Sequence, residues 1–405
     1  MEIKWLTDEV LGDYVGLVNT YYQLHSHPEL SFAEHHTAEH IAAVLRSQGI
    51  ECRAIASTGV LATIHPAAES PQTEGAKPKA VVLRADIDAL PITEQSLSPH
   101  PSLHSGVMHA CGHDMHATIL LGTLAVLNRH RDLLGCTIFG LFQPAEELNP
   151  GGAKSVLAEA PFDDYDVVAF VGEHVEPTLP TGVVGLRSGE YMAACDELHI
   201  SVTGRGGHAA LREGLTDPIL PTAKLIEWLY EIPAQATSTD TPTIVSIGRI
   251  EADGATNVVP DTVRLQGTMR TFGEEWRSQV KGLIGEVCHR VEETYGVQVE
   301  VNFGEGYPSV YNTPTLANEA REVLRSTFGQ QMVVALDVRP TGEDFGHYTR
   351  RYPSLFYRLG VGYDGDDHAA QRAGALHSAS FCPDTKAIGC GVITMVTLTL
   401  HFSQR

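Results

Sequence analysis

CDELHISVT at 195–203 reads as a strand, and the elements after it decide the fold. A helical pattern covers 217–231. Strands come next at 243–251 (TIVSIGRIE) and 261–270 (DTVRLQGTMR), then a helix at 274–294 and a strand at 297–303. That order is βαββαβ, the ferredoxin-like pattern. It forms a self-contained stretch of about 110 residues, a size suited to a small domain. On the N-terminal side, apolar positions at Leu11, Tyr14, Val15, Val18, Tyr21 and Tyr22 have helical spacing, with Thr7 as the expected N-cap. A second helix is expected over 34–48, stopped by Gly49. Short apolar runs lie at 59–64, 80–85, 136–142 and 167–172, with helical patterns at 115–129 and 151–160. Alternating strand and helix predicts an α/β sheet flanked by helices. The polar segment 67–79 (AAESPQTEGAKPK) reads as a surface loop. After 313 the chain returns to αβα and ends in a helical stretch at 384–400. The small domain is thus expected as an insert. The division is 1–187 and 305–405 for the two parts of the larger domain, with 188–304 between them.

The chain has 405 residues, 43% of them hydrophobic, too many for one comfortable core. Its 50 acidic and 28 basic residues give a formal charge of −22. Phosphate contacts need Lys and Arg, so a nucleic-acid binder is disfavoured, as is an anionic membrane surface. Seven cysteines lie scattered, without framework spacing, and read as free thiols in a reducing compartment. No secretory signal and no stretch of 18 apolar residues is evident. The expected compartment is the cytoplasm.

Five clusters fall at strand ends and loops, where α/β proteins place their sites. In LRADIDALPI (83–92), Asp86 and Asp88 stand at the mouth of an apolar strand, fitting either a strand cap with a turn or a paired or metal-linked site. MHACGHDMHA (108–117) packs His109, Cys111, His113, Asp114 and His116 into eight residues. Thiolate and imidazole are the preferred ligands of zinc-like metals. With no second CxxC, a catalytic metal is favoured over a structural one. In FQPAEE (142–147), Glu146 and Glu147 come after a buried strand and a proline turn. Such neighbours can divide the work, one holding metal and one taking a proton from water. His174 in VGEHVEP (171–177) and His377 in ALHSASF (375–381) are, each taken alone, more often a core or edge residue than a ligand.

Together these stretches resemble the aminoacylase-like metallopeptidases. They are most similar to the branch of hippurate hydrolases, N-acyl-L-amino acid amidohydrolases and plant-type auxin–amino acid conjugate hydrolases. The resemblance spans almost the whole chain. It is carried by HSHPELSF (25–32), LRADIDALP (83–91), MHACGHDMHAT (108–118), FQPAEE (142–147) and GEH (172–174). Further on it is carried by GRGGHAA (204–210), TNVVPD (256–261), TGEDF (341–345) and LHS (376–378). The resemblance implies two divalent metal ions (Zn, Mn, Ni or Co) held by Cys111, His113, Glu147, His174 and His377. Glu146 matches the general base, and Asp88 an aspartate that orients a ligand imidazole. Asp114 is implied as a further residue of that supporting kind. His208 and Asn257 match residues that reach the substrate, His208 across the interface of a homodimer. Two departures bear on specificity. Leu211-Arg212-Glu213 stands where the family has a residue and then Pro-His, and Ser378-Ala379-Ser380 stands where a Pro is usual.

Amide hydrolysis needs a nucleophile at neutral pH and a partner for the oxyanion, and two divalent cations can supply both. The expected reaction is hydrolysis of an N-acyl amino acid to a carboxylic acid and a free amino acid. A specific N-acetyl-diamino acid deacetylase, a dipeptidase or carboxypeptidase, and a non-catalytic metal-binding homologue are the competing readings.

Overall fold

A computed structural model of the chain describes residues 4–68, 75–235, 241–363 and 373–405. Among its helices are α1 (Lys4–Ser26), α2 (His35–Ser47), α3 (His113–Arg129), α4 (Gly152–Ala158), α5 (Ile219–Glu231), α6 (Glu274–Tyr295), α7 (Pro314–Phe328) and α8 (Lys386–Phe402). Among its strands are β1 (Glu51–Ile55), β2 (Gly59–Ile64), β3 (Lys79–Asp86), β4 (Thr137–Gln143), β5 (Asp166–Pro180), β6 (Val184–Leu186) and β7 (Ala194–Thr203). The strands continue with β8 (Gly207–His208), β9 (Ile244–Ala252), β10 (Val258–Val259), β11 (Thr262–Thr271), β12 (Gln298–Phe303), β13 (Val333–Ala335) and β14 (Ser354–Gly362). The chain packs as two compact units. One comprises Met1–Gly189, Tyr311–Asp337 and His347–Arg405; the other comprises Glu190–Val310 and Val338–Gly346.

The first unit is built on an eight-stranded mixed sheet in the order β1-β2-β4-β3-β5-β14-β6-β13. Strands β4, β3, β5 and β14 run parallel to one another, so their carboxyl ends gather on one edge. Both faces of these strands are covered, and they read as near-continuous apolar runs for that reason. All seven residues of β4 and all nine of β14 are buried. Helix α3 is buried from His113 to Leu127 and packs against α1 and α8. It is apolar on nearly every side, as a helix inside a core must be.

Gly49, with φ of 70°, comes after α2 as its stop, as expected. Two local readings change. Helix α1 already includes Lys4, so Thr7 lies within it rather than capping it. Strand β5 runs on to Pro180, so His174 sits inside a strand and not beyond its end. Its second half buries Glu173, His174 and Glu176, and an apolar count cannot mark a strand that buries ionisable groups. Of the expected loop at 67–79, residues 69–74 lie outside the described residues.

The second unit carries a four-stranded sheet in the order β9-β11-β7-β12, every pair antiparallel. Leu198, Ile200 and Val202 alternate along β7 and share a core with Leu225 and Leu229 of α5 and Val280 and Ile284 of α6. In the same unit β8 pairs with β10, and Ala209 N donates to Asn257 O at 3.0 Å. This brings the GRGGHAA and TNVVPD stretches together, with His208 exposed. Residues 338–346 join through Arg339, whose carbonyl accepts Ala193 N at 2.9 Å. Among the described residues no helix is long and apolar enough to cross a membrane.

Candidate active site

The carboxyl edge of the parallel strands collects the predicted residues of the first unit. Strand β3 ends at Asp86, with Asp88 two residues on; β4 ends at Gln143, before Pro144-Ala145-Glu146-Glu147; β5 carries His174. Cys111 and His113 flank Gly112 at the start of α3. Gly112 has φ of 84°, and a β-carbon there would overlap Val175 Cγ2, so only glycine lets the chain turn this closely above β5. His377 lies in the loop before α8 with φ of 60°, and its amide donates to Ala110 O at 2.8 Å. That bond joins a residue near the C-terminus to the cysteine loop.

Cys111 Sγ lies 3.3 Å from His174 Nε2 and 3.3 Å from His377 Nε2. Glu147 Oε1 is 3.2 Å from His377 Nε2 and 3.9 Å from His113 Nε2. The donor atoms form overlapping groups, each within 4.8 Å: Cys111, His113 and His174; Cys111, Glu147 and His377; and His113, Glu146 and Glu147. Cys111 belongs to both of the first two.

The residues fit divalent cations on their own terms. His113 Nε2 is buried and makes no hydrogen bond among the described residues. Leaving such a group unsatisfied costs about 1–3 kcal/mol, and a cation bound at this nitrogen would remove that penalty. One thiol, three imidazoles and a carboxylate are the donor set that zinc-like metals take.

The surrounding bonds fix which imidazole nitrogen faces inward. His113 Nδ1 is 3.1 Å from Asp88 Oδ1, and His174 Nδ1 is 2.8 Å from Val175 O. In both rings Nδ1–H donates and Nε2 keeps its lone pair for the cluster. Burial drives His174 well below the usual imidazole range, helped by the Arg358 charge, so the ring stays neutral. Burial works against ionisation of Asp88, but bonds from His113, Ser31 and the Glu147 amide hold its carboxyl below the ordinary value. His377 is pushed up to about 10 by its hydrogen bonds to Cys111 and Glu147.

Three residues of the dense histidine motif, His109, Asp114 and His116, are not among the proposed ligands, although His116 lies within 4.8 Å of His113 and Asp86. His116 donates Nδ1–H to Asp86 at 2.6 Å, and its Nε2 accepts Val175 N–H at 2.9 Å. Asp86 in turn pairs with the buried Arg84 at 2.7 Å, whose Nε donates to Gln143 at 3.0 Å. This is a closed polar network beneath the site. Asp114 accepts from His25 at 2.6 Å. His109 is buried with neither ring nitrogen hydrogen-bonded among the described residues, and burial lowers it to about 4. Sequence reading assigned no role to His25, Ser31 or Arg84. The signal that could have found them was the family resemblance of HSHPELSF and LRADIDALP, the stretches in which they lie.

Such an arrangement defines a metal-dependent amidohydrolase. The chain belongs to peptidase family M20/M25/M40, whose model matches residues 82–394. It is similar to an N-acetyl-L-cysteine deacetylase of Bacillus subtilis, 37% identical over 85% of this chain and 80% of that one. A thermostable carboxypeptidase of Saccharolobus solfataricus is 33% identical, over 95% of this chain and 94% of its own. Among solved structures, a dinuclear metal-binding peptidase of the M20 family from Bacillus subtilis superposes with a TM-score of 0.81. It is 32% identical and covers 96% of this chain and 98% of its own.

Proposed function

We propose that the protein hydrolyses the amide bond of N-acyl amino acids, releasing a carboxylic acid and a free amino acid. The observation that carries the reading is the pair of three-residue donor groups sharing Cys111, with Glu146 at their edge. Cys111, His113 and His174 would hold one divalent cation, and Cys111, Glu147 and His377 a second (Zn, Mn, Ni or Co). Bound there, the cations supply Lewis acidity toward water and the amide carbonyl. Glu146, 8% exposed, takes the proton from the attacking water and delivers it to the leaving nitrogen. Asp88 keeps His113 in the tautomer that presents Nε2. The reading also assigns substrate contact to His208 and Asn257, with His208 supplied across a homodimer and aimed at the oxyanion, a role worth about 10²–10³ in rate.

The deacetylase relative supports an N-acyl amino acid as substrate. The carboxypeptidase relative favours a second reading, cleavage of a peptide's terminal residue. Release of free amino acid from a panel of N-acetyl and N-benzoyl amino acids, assayed beside dipeptides and N-blocked peptides, separates the two. N-acyl amino acids should be the better substrates by kcat/KM. Turnover should stop on chelation and return with Mn²⁺, Zn²⁺, Co²⁺ or Ni²⁺. Full activity in protein shown to be metal-free by elemental analysis would sink the proposal.

A further inference from the structure

Residues 25–34, HSHPELSFAE, connect α1 to α2 and include none of the proposed ligands. Three of their side chains nevertheless end on the segments that carry ligands. His25 reaches Asp114, next to His113, at 2.6 Å. Ser31 Oγ donates to Asp88 Oδ2 at 2.7 Å. Glu34, fully buried, accepts the Ala145 amide on Oε1 at 2.8 Å and the Thr58 hydroxyl on Oε2 at 2.6 Å. The segment is itself pinned to the end of β3, where Ala89 N donates to Glu29 O at 2.8 Å.

Ala145 is the unusual member of the Pro144–Glu147 turn. Its φ of 54° is left-handed, a conformation that costs a residue with a β-carbon about 1–2 kcal/mol. Its carbonyl accepts Gly152 N at 2.8 Å, and a β-carbon on Gly152 would overlap Pro144 O, so the turn is closely backed. Two residues on, the amide between the glutamates, Glu147 N, donates to Asp88 Oδ2 at 3.0 Å. Ala145 and Glu146 are therefore bracketed by two backbone amides, each donating to a buried carboxylate. Charge-assisted bonds of this kind are about twice as strong as neutral ones. Both anchors run through the 25–34 segment, directly for Glu34 and through Ser31 for Asp88.

We infer that Glu34 is a positioning residue: by gripping the Ala145 amide it sets where the Glu146 carboxylate stands over the donor cluster. The inference rests on the reading of Glu146 as general base. Glu34→Gln keeps an acceptor for the amide and a donor for Thr58; Glu34→Ala keeps neither. Glu34→Ala should lower kcat at least about tenfold, a part of what a general base contributes, with KM and bound metal unchanged. Glu34→Gln should return most of the loss. Placed on Glu146→Gln, Glu34→Ala should add no further loss, because the two act as one unit. Where Glu34→Ala does not fold, Glu34→Asp withdraws the acceptor by one methylene and takes its place. An equal loss in the wild-type and Glu146→Gln backgrounds overturns the inference, since Glu34 would then act on the fold alone. So does Glu34→Gln as impaired as Glu34→Ala. An unchanged kcat in Glu146→Gln by itself overturns the base assignment instead, and the inference with it.

Discussion

Glu146 and Glu147 are adjacent in sequence and unlike in surroundings. The Glu147 amide is tied to Asp88, and its carboxylate oxygen sits against His377 and His113. Among the proposed ligands Glu146 shares a donor group with His113 and Glu147, and the proposed function gives it the proton transfer. Glu146→Gln keeps the shape and removes the base, so kcat should fall at least about 10²-fold with metal content intact. Glu147→Gln should lose metal. If elemental analysis finds metal missing from Glu146→Gln and retained in Glu147→Gln, the roles are reversed. Of the five proposed donors, Cys111 and His113 stand out in one dense motif, whereas Glu147, His174 and His377 are implied as ligands through the family resemblance. Their anchors were not legible. Ser31 meets Asp88 and Glu34 meets Ala145 only after the chain has folded, and no local spacing announces a pair so distant in sequence.

Elements were legible where one physical pattern dominates. The apolar runs of β2 and β3 and the periodicity of α2 and α6 place those elements closely. Strand β1 was missed because, as an edge hairpin strand, it buries one residue of five and shows no pattern. The far half of β5 was missed for the opposite reason, since it buries ionisable groups. Glu173 on β5 lies directly beside Tyr357 on β14, whose hydroxyl donates to it at 2.7 Å. Burial raises the Glu173 carboxyl to about 8, so the folded protein keeps a proton that the unfolded chain releases near 4.5. This contribution to stability is full below the unfolded value and is lost as pH rises through about 8. Glu173→Gln should flatten the pH dependence of urea unfolding between these limits, by up to roughly 1.4 kcal/mol per pH unit. An identical slope in variant and wild type would show that Glu173 ionises normally.

The proposed homodimer makes a prediction that no single chain can meet. His208→Ala should lower kcat strongly and leave metal bound. Mixed with Glu146→Gln subunits it should recover activity, because one site in each mixed dimer keeps both its own Glu146 and its partner's His208. No recovery in verified mixed dimers, or a fully active monomer, would refute the shared site. His113 is sealed and His174 is 5% exposed, whereas the His377 side chain is 54% exposed on a loop. The two donor groups therefore differ in kinetic lability. The cation held with His377 should arrive last and leave first, and Cys111, common to both, should stay committed to its neighbour. His377→Ala should then retain close to one equivalent of metal by elemental analysis while His113→Ala retains less. Timed chelation of the wild type should run in two phases, the fast one ending activity. Release in a single phase would mean that the open histidine sets no hierarchy.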